Sequence, residues 1–103
     1  MGPGLLESVY QACLEEELKL CGLAFESQAR LPLIYKGKML NDPLIMDFFL
    51  PGQLVIEIKA VEKLLPVHEA QLLSYLRLSK TRVGLLLNFN VPVLKDGLKR
   101  MVL

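Results

Sequence analysis

The chain has 103 residues, 52% of them hydrophobic, with a mean hydropathy of +0.39 and a net charge of +1. This length fits one domain with a modest core, and the net charge argues neither for nor against a nucleic-acid partner. No apolar run approaches the roughly 20 residues that span a bilayer, and the first four residues do not resemble a secretory signal, so we expect a cytoplasmic protein with no membrane contact.

The first predicted element is a helix from Leu5 to Cys21. Gly22 followed by Leu23 predicts a Schellman-type end. The apolar arc of this helix, at a period of 3.6 residues, comprises Leu6, Val9, Tyr10, Cys13, Leu14 and Cys21. Its two cysteines lie about 12 Å apart along the axis, too far to bridge each other. We expect them to be reduced thiols in the core.

Strand regions follow the first helix. Residues 25–35 predict a strand, with Pro32 indicating an exposed edge or a bulge. A turn at residues 36–38 leads into a second strand region, which residues 41–43 interrupt. Pro51-Gly52 predicts a further turn.

The two segments on either side of Pro51-Gly52 carry most of the chemistry. Residues 46–50 and 53–61 predict paired strands. Folding them back can bring Asp47 beside Glu57, and Lys59 points the same way as Glu57 because side chains alternate along a strand. Charges among apolar residues are costly unless paired or bound to a metal, so the cluster favours a divalent cation. The alternative is the polar face of an amphipathic strand.

The last elements predict the fold class. Pro66 stands near the start of a second helix that runs to about Leu78. The apolar run from Arg82 to Phe89 predicts a buried strand, in which Gly84 allows close packing against a helix. The order α-β-β-β-α-β, with a helical crossover before the last strand, predicts a mixed α/β sheet with helices on both sides. The carboxylates would lie in a cleft at its edge.

Charge is distributed unevenly along the chain. From residue 77 onward there is a balance of +5, which leaves −4 for residues 1–76. The basic residues of this last part are Arg77, Lys80, Arg82, Lys95, Lys99 and Arg100. A basic segment beside an acidic site suits a phosphodiester substrate that needs phosphate anchors. The alternative is a solvated, lysine-rich end.

These motifs resemble a known family. An aspartate, then Glu-x-Lys, then a glutamine on the following helix looks like the PD-(D/E)XK nuclease superfamily, whose fold is restriction-endonuclease-like. Residues 4–10 are similar to the signature that names the GxxExxY protein family. Residues 57–63 and 68–72 resemble its central block, and residues 84–89 and 94–100 its closing segment.

The resemblance implies hydrolysis of DNA or RNA phosphodiester bonds. Low sequence specificity is expected, since no recognition helix or zinc finger is visible. Asp47 and Glu57, with the backbone carbonyl of Ile58, would ligate Mg²⁺ or Mn²⁺. Lys59 would stabilise the attacking hydroxide, and Gln71 would orient a water molecule or a nucleotide group.

Three further residues have alternatives. Glu7 would add a water-mediated or second-metal contact, or is an acid favoured by the helix dipole. His68 has no second histidine or cysteine at metal-ligand spacing and is expected to be a helix-start surface or packing residue; the alternative is a general base. Tyr75 shares a helix face with Gln71 and is expected to be a core aromatic with its hydroxyl on a polar partner.

Two departures from the family pattern favour a function of another class. Relatives generally have a further helix before the Gly-x-x-Glu segment, so we expect residues 1–103 to form a single domain that lacks this helix. Relatives also tend to have Tyr-Arg where this chain has Leu44-Ile45. The alternative is a non-catalytic module that keeps the fold and forms homo-oligomers through its apolar surface.

Overall fold

The computed structural model describes residues 3–39, 44–89 and 97–103. The predicted interruption at residues 41–43 and the basic residue Lys95 lie outside these ranges. The elements within them are α1 (Pro3–Leu20), β1 (Glu26–Leu31), β2 (Ile34–Tyr35), β3 (Lys38–Met39), β4 (Leu44–Leu50), β5 (Leu54–Lys59), α2 (Pro66–Ser79), β6 (Val83–Asn88) and β7 (Leu98–Val102). Neither helix in the described part of the chain is long and apolar enough to cross a membrane.

Five strands form one mixed sheet, in the order β1-β4-β5-β6-β7. The crossover through α2 makes β5 and β6 parallel, and the other neighbours are antiparallel. The predicted fold class, a mixed α/β sheet with flanking helices, is confirmed. Two details differ from the predicted order. The first strand ends at Leu31, just before Pro32, and the chain continues into the separate hairpin β2–β3, while β7 adds an edge strand.

One helix covers each face of the sheet. Alternate residues of β5 point to opposite sides: Val55 packs with Leu72 and Leu76 of α2, whereas Ile56 packs with Leu18 of α1. We call these the α2 side and the α1 side. Each side has its own buried cluster, so the sheet is a central layer between two small cores.

The buried face of α1 differs from the predicted arc. Cys13 and Cys21 are exposed, as is half of Val9, so the prediction of core thiols is wrong. Among residues 7–20 of α1, whose side chains the structure describes, Tyr10, Leu14 and Leu18 pack on the sheet. They are four positions apart and form a narrow stripe in this part of the helix, while Val9 and Cys13 of the predicted arc lie outside it.

Local contacts fix one end of each helix. Gly22, at φ +73°, ends α1, and the Leu23 N–H donates to the Leu18 carbonyl at 3.1 Å, so the predicted Schellman-type end is confirmed. At the start of α2 the Leu65 N–H donates to Nδ1 of His68 at 2.9 Å. The helix-start role of His68 is therefore confirmed.

The contact between α2 and β6 requires a glycine. A Cβ on Gly84 would lie 2.8 Å from Cδ1 of Leu72, whose side chain is fully buried. We expect Gly84→Ala to lower the free energy of unfolding by about 1–3 kcal/mol through overpacking, measured by urea denaturation. The cost should shrink in a Leu72→Ala background, where the space is open. Equal costs in both backgrounds would contradict the contact.

Candidate active site in a fork between two strands

The sheet divides where β4 and β5 diverge. Their ladder runs from Leu50–Leu54 to Phe48–Ile56 and stops there. Beyond that point β4 pairs with β1 alone, and β5 pairs with β6 alone, through to Lys59 opposite Asn88. The next pair of facing positions would be Asp47 and Glu57. We call this opening the fork.

Carboxylates replace backbone partners inside the fork. The Asp47 N–H donates to Oε1 of Glu57 at 3.2 Å, and the Ile58 N–H donates to Oδ2 of Asp47 at 2.7 Å. Two backbone donors past the end of the ladder are thus satisfied by side chains from the opposite strand. The predicted juxtaposition of Asp47 and Glu57 is confirmed.

Glu57 is not on a solvated strand face. Its side chain is only 3% exposed, which argues against the alternative of an amphipathic polar face. Burial, and then the negative charge of Asp47, raise the pKa of Glu57 from 4.5 to about 9. Lys59 forms no ion pair with either carboxylate within the described residues, and its ammonium group instead donates to Oε1 of Gln71 at 3.4 Å.

A cavity of about 490 Å³ occupies the fork. Because the sheet is open there, residues of both helices reach it: Glu7 and Gln11 from α1, Gln71 and Tyr75 from α2. All six residues predicted for the site line this cavity, namely Glu7, Asp47, Glu57, Ile58, Lys59 and Gln71. Their proximity is a structural fact, and their roles remain predictions.

The contacts from the helices organise the cavity wall. Oε1 of Glu7 accepts the Ala60 N–H at 3.1 Å and so ties α1 to the end of β5. Gln71 donates to the Tyr75 hydroxyl at 3.0 Å, as expected for a buried tyrosine with a polar partner. Burial, followed by the charges of Glu57 and Asp47, raises the pKa of Tyr75.

Two glutamines that the sequence analysis missed hold Asp47 from other directions. Gln11 donates to the Asp47 carbonyl at 3.2 Å and to Oγ of Ser27 at 2.9 Å. Gln28 donates to Oδ1 of Asp47 at 3.4 Å. Gln11 lies one helical turn after Glu7, and this spacing was available as a signal. Nothing in the sequence marks Gln28.

The donor set suits a hard divalent cation with water ligands. No three histidine, cysteine or carboxylate side chains in the described ranges are grouped to hold a metal. A magnesium ion, however, commonly takes one or two carboxylates and keeps several waters. Asp47 and Glu57 supply those two side chains, and a cation bound between them would favour the ionised form of Glu57, which burial and the charge of Asp47 otherwise disfavour.

The basic C-terminal residues do not build the cavity. Arg77, Lys80, Arg82, Lys99 and Arg100 are exposed, and none of them lines it. Lys99 instead pairs with Glu69 at 3.3 Å. These five residues therefore do not line the site of the acidic pair, and a role of the basic segment as phosphate anchors stays a prediction. For Arg77, Lys80 and Arg82 the reason is topological, because α2 carries the chain to the far end of the sheet before β6 begins. Lys99 and Arg100 lie in β7, which β6 separates from β5.

The family model described as the PD-(D/E)XK nuclease superfamily matches residues 1–101. No curated protein and no solved structure matches the chain significantly. The five-stranded mixed sheet with a helix on each face is consistent with the predicted restriction-endonuclease-like fold. The match does not distinguish the GxxExxY family within the superfamily, so that finer resemblance stays a prediction.

The buried carboxyl of Glu57 predicts how stability depends on pH. Between about pH 5 and pH 9 the folded protein retains a proton that the unfolded chain releases, since the pKa is about 9 when folded and 4.5 otherwise. Stability in EDTA should thus be highest near pH 5 and fall towards pH 9. One pKa unit corresponds to about 1.4 kcal/mol, so the loss should reach a few kcal/mol by urea denaturation.

Glu57→Gln keeps the acceptor for the Asp47 N–H but has no proton to lose, and should flatten this decline. The exposed Glu62→Gln is the matched control and should retain it. Parallel pH curves for Glu57→Gln and the wild type would contradict the assignment.

Proposed function

Because the chain belongs to the PD-(D/E)XK nuclease superfamily, we propose that it is a divalent-metal-dependent nuclease that hydrolyses phosphodiester bonds of DNA or RNA in the fork. The observation that carries the proposal is the convergence of Asp47, Glu57 and Lys59 on one cavity. On residues 4–10 we also place it in the GxxExxY family.

Asp47 and Glu57 would hold Mg²⁺ or Mn²⁺, with the Ile58 carbonyl as a third oxygen donor and Glu7 reaching it through water or a second ion. When bound, such a cation lowers the pKa of a ligated water and neutralises charge on the phosphoryl oxygens. The hydrogen bonds of Asp47 to Ile58 and Glu57 already fix both carboxylates across the fork. Binding would need little rearrangement of the backbone.

Lys59 is the cation of the site itself. It is half-buried at the end of β5, and the bond to Gln71 directs its ammonium group into the cavity wall. There it would stabilise negative charge on the attacking oxygen and on the phosphoryl group. Gln71, held by Tyr75, positions both Lys59 and the incoming water or nucleotide.

The β2–β3 hairpin gives nucleic acid a path to this site. Strand directions place the Lys59 end of β5, the start of β4 and the end of β1 at one end of the sheet. The hairpin follows β1 there and exposes Lys36 and Lys38. Phosphate backbones bind such lysines without regard to sequence, which agrees with low sequence specificity.

We expect Lys36→Gln with Lys38→Gln to weaken binding of a fluorescent 20-base-pair duplex in EDTA. The slope of log K against log salt should fall by about 2, because two phosphate contacts are lost. Fluorescence anisotropy measures both. Arg77→Gln with Arg82→Gln removes the same charge at the far end of the sheet and should change little. If both double variants weakened binding equally, the hairpin would contribute only general electrostatic attraction and not a specific path to the site.

Catalysis is tested by metal binding and cleavage together. Mg²⁺ or Mn²⁺ at millimolar concentration should raise the melting temperature of the wild type by several degrees, and Asp47→Asn should abolish the shift. Lys59→Ala should keep the shift but lower cleavage of plasmid and single-stranded DNA or RNA at least about 100-fold. The exposed Lys63→Ala is the control and should cleave normally.

A wild type with neither a metal-dependent shift nor cleavage would overturn the enzymatic proposal. The alternative, a non-catalytic module that forms homo-oligomers, would then be the remaining prediction. The exposed apolar side chains that could serve it are spread over different elements, among them Leu20, Ile34, Val67 and Val102.

A further inference from the structure

The side chains of β1 and β4 switch from one face of the sheet to the other at Gln28 and Asp47. We call this irregularity the crease. In β1 and the residue before it, Phe25 and Ser27 contact the α1 side, whereas Ala29 packs on the α2 side. Residues two apart in a regular strand share a face, so the alternation must break at Gln28. In β4 the same switch occurs between Met46 on the α2 side and Phe48 on the α1 side.

The backbone of Gln28 produces the break. Its φ is +52°, in the left-handed region. The pairing of β1 with β4 skips this position: Ser27 faces Phe48 and Ala29 faces Met46, with no ladder pair between them. A residue with a Cβ in this conformation costs about 1–2 kcal/mol, and glycine would avoid that cost. The exposed glutamine at this position therefore carries a backbone cost that a glycine would not.

The side-chain amide of Gln28 makes a contact that a glycine could not make. Three of the groups of Asp47 are held by other residues: the N–H by Glu57, the carbonyl by Gln11 and Oδ2 by Ile58. Oδ1 receives the amide of Gln28, which also lines the cavity. The crease places this amide 3.4 Å from Oδ1, within hydrogen-bond distance of the carboxylate.

We propose that Gln28 is a positioning residue that orients the Asp47 carboxylate for metal binding, and that its strained backbone is retained for this purpose. The inference rests on the proposed function, since it assigns a role towards the metal that Asp47 would hold. Mutation of a residue that hydrogen-bonds a metal ligand typically lowers metal affinity by about 10- to 100-fold.

Gln28→Gly separates the two roles of the residue. It relaxes the backbone and removes the amide, so the metal-free melting temperature should equal or exceed that of the wild type, while affinity for Mn²⁺ falls at least about tenfold. Calorimetric titration with Mn²⁺ gives the affinity without relying on cleavage. Gln28→Asn tolerates the same φ and keeps a shorter amide, and should recover part of the affinity.

Lys80→Gly is the matched control, because Lys80 also has a positive φ, +57°, and ends α2 far from the fork. It should gain stability with unchanged Mn²⁺ affinity. If Gln28→Gly binds Mn²⁺ as tightly as a wild type that does bind it, the positioning role is overturned and the proposed function stands. A wild type that binds neither Mn²⁺ nor Mg²⁺ overturns both.

Discussion

The rest of this structure depends on one constraint: at the Asp47–Glu57 position, side-chain carboxylates and not backbone carbonyls accept the hydrogen bonds of the backbone N–H groups. Where β4 and β5 part, two N–H groups would be left without acceptors in a largely buried place, which is costly. The carboxylates of the facing strands accept both bonds. The same oxygens that close the end of the ladder are therefore those that face the cavity, so fold and site share atoms. Removing either acid would disturb the local structure as well as any chemistry.

This arrangement leaves an electrostatic imbalance within the protein itself. Glu57 is buried beside a second acid, and the lysine nearest to them bonds to an amide instead. A purely structural solution could have used glutamine at position 57, which supplies the same acceptor and is neutral at every pH, whereas burial beside Asp47 makes ionisation of Glu57 costly. Holding two acids together in an accessible cavity has a physical purpose when a cation is to be bound. The pairing of two acids without a neighbouring cation thus favours a cation-binding role over a purely structural one, independently of the family match.

Much of this could be predicted from sequence where local rules suffice. The β-branched segment of β5, the proline at the start of α2 and the turn at Pro51-Gly52 predicted a hairpin and a crossover, and the hairpin alone placed Asp47 opposite Glu57. Properties set by tertiary packing could not be predicted. The stripe of α1 that is buried depends on how much of the helix the sheet covers, and the left-handed backbone of Gln28 is a single-residue event that no periodicity encodes. That the described basic residues of the C-terminal part do not line the cavity has the same origin, because charge counted along a chain carries no information on which strand, or which end of a sheet, it reaches.

The fork explains how a domain of this size can build a site from every layer. In a continuous sheet α1 and α2 would be separated by the strands, and residues such as Glu7 and Gln71 could not border one cavity. Opening the sheet between β4 and β5 removes that barrier at one end only, while the ladder from Phe48 to Leu54 holds the other end closed. The β2–β3 hairpin precedes β4 in the chain, and Lys59 ends β5. The opening, the Lys59 ammonium group and the basic hairpin therefore share one end of the sheet. At the far end of the sheet, Gly84 packs tightly against Leu72, and this contact contributes to stability.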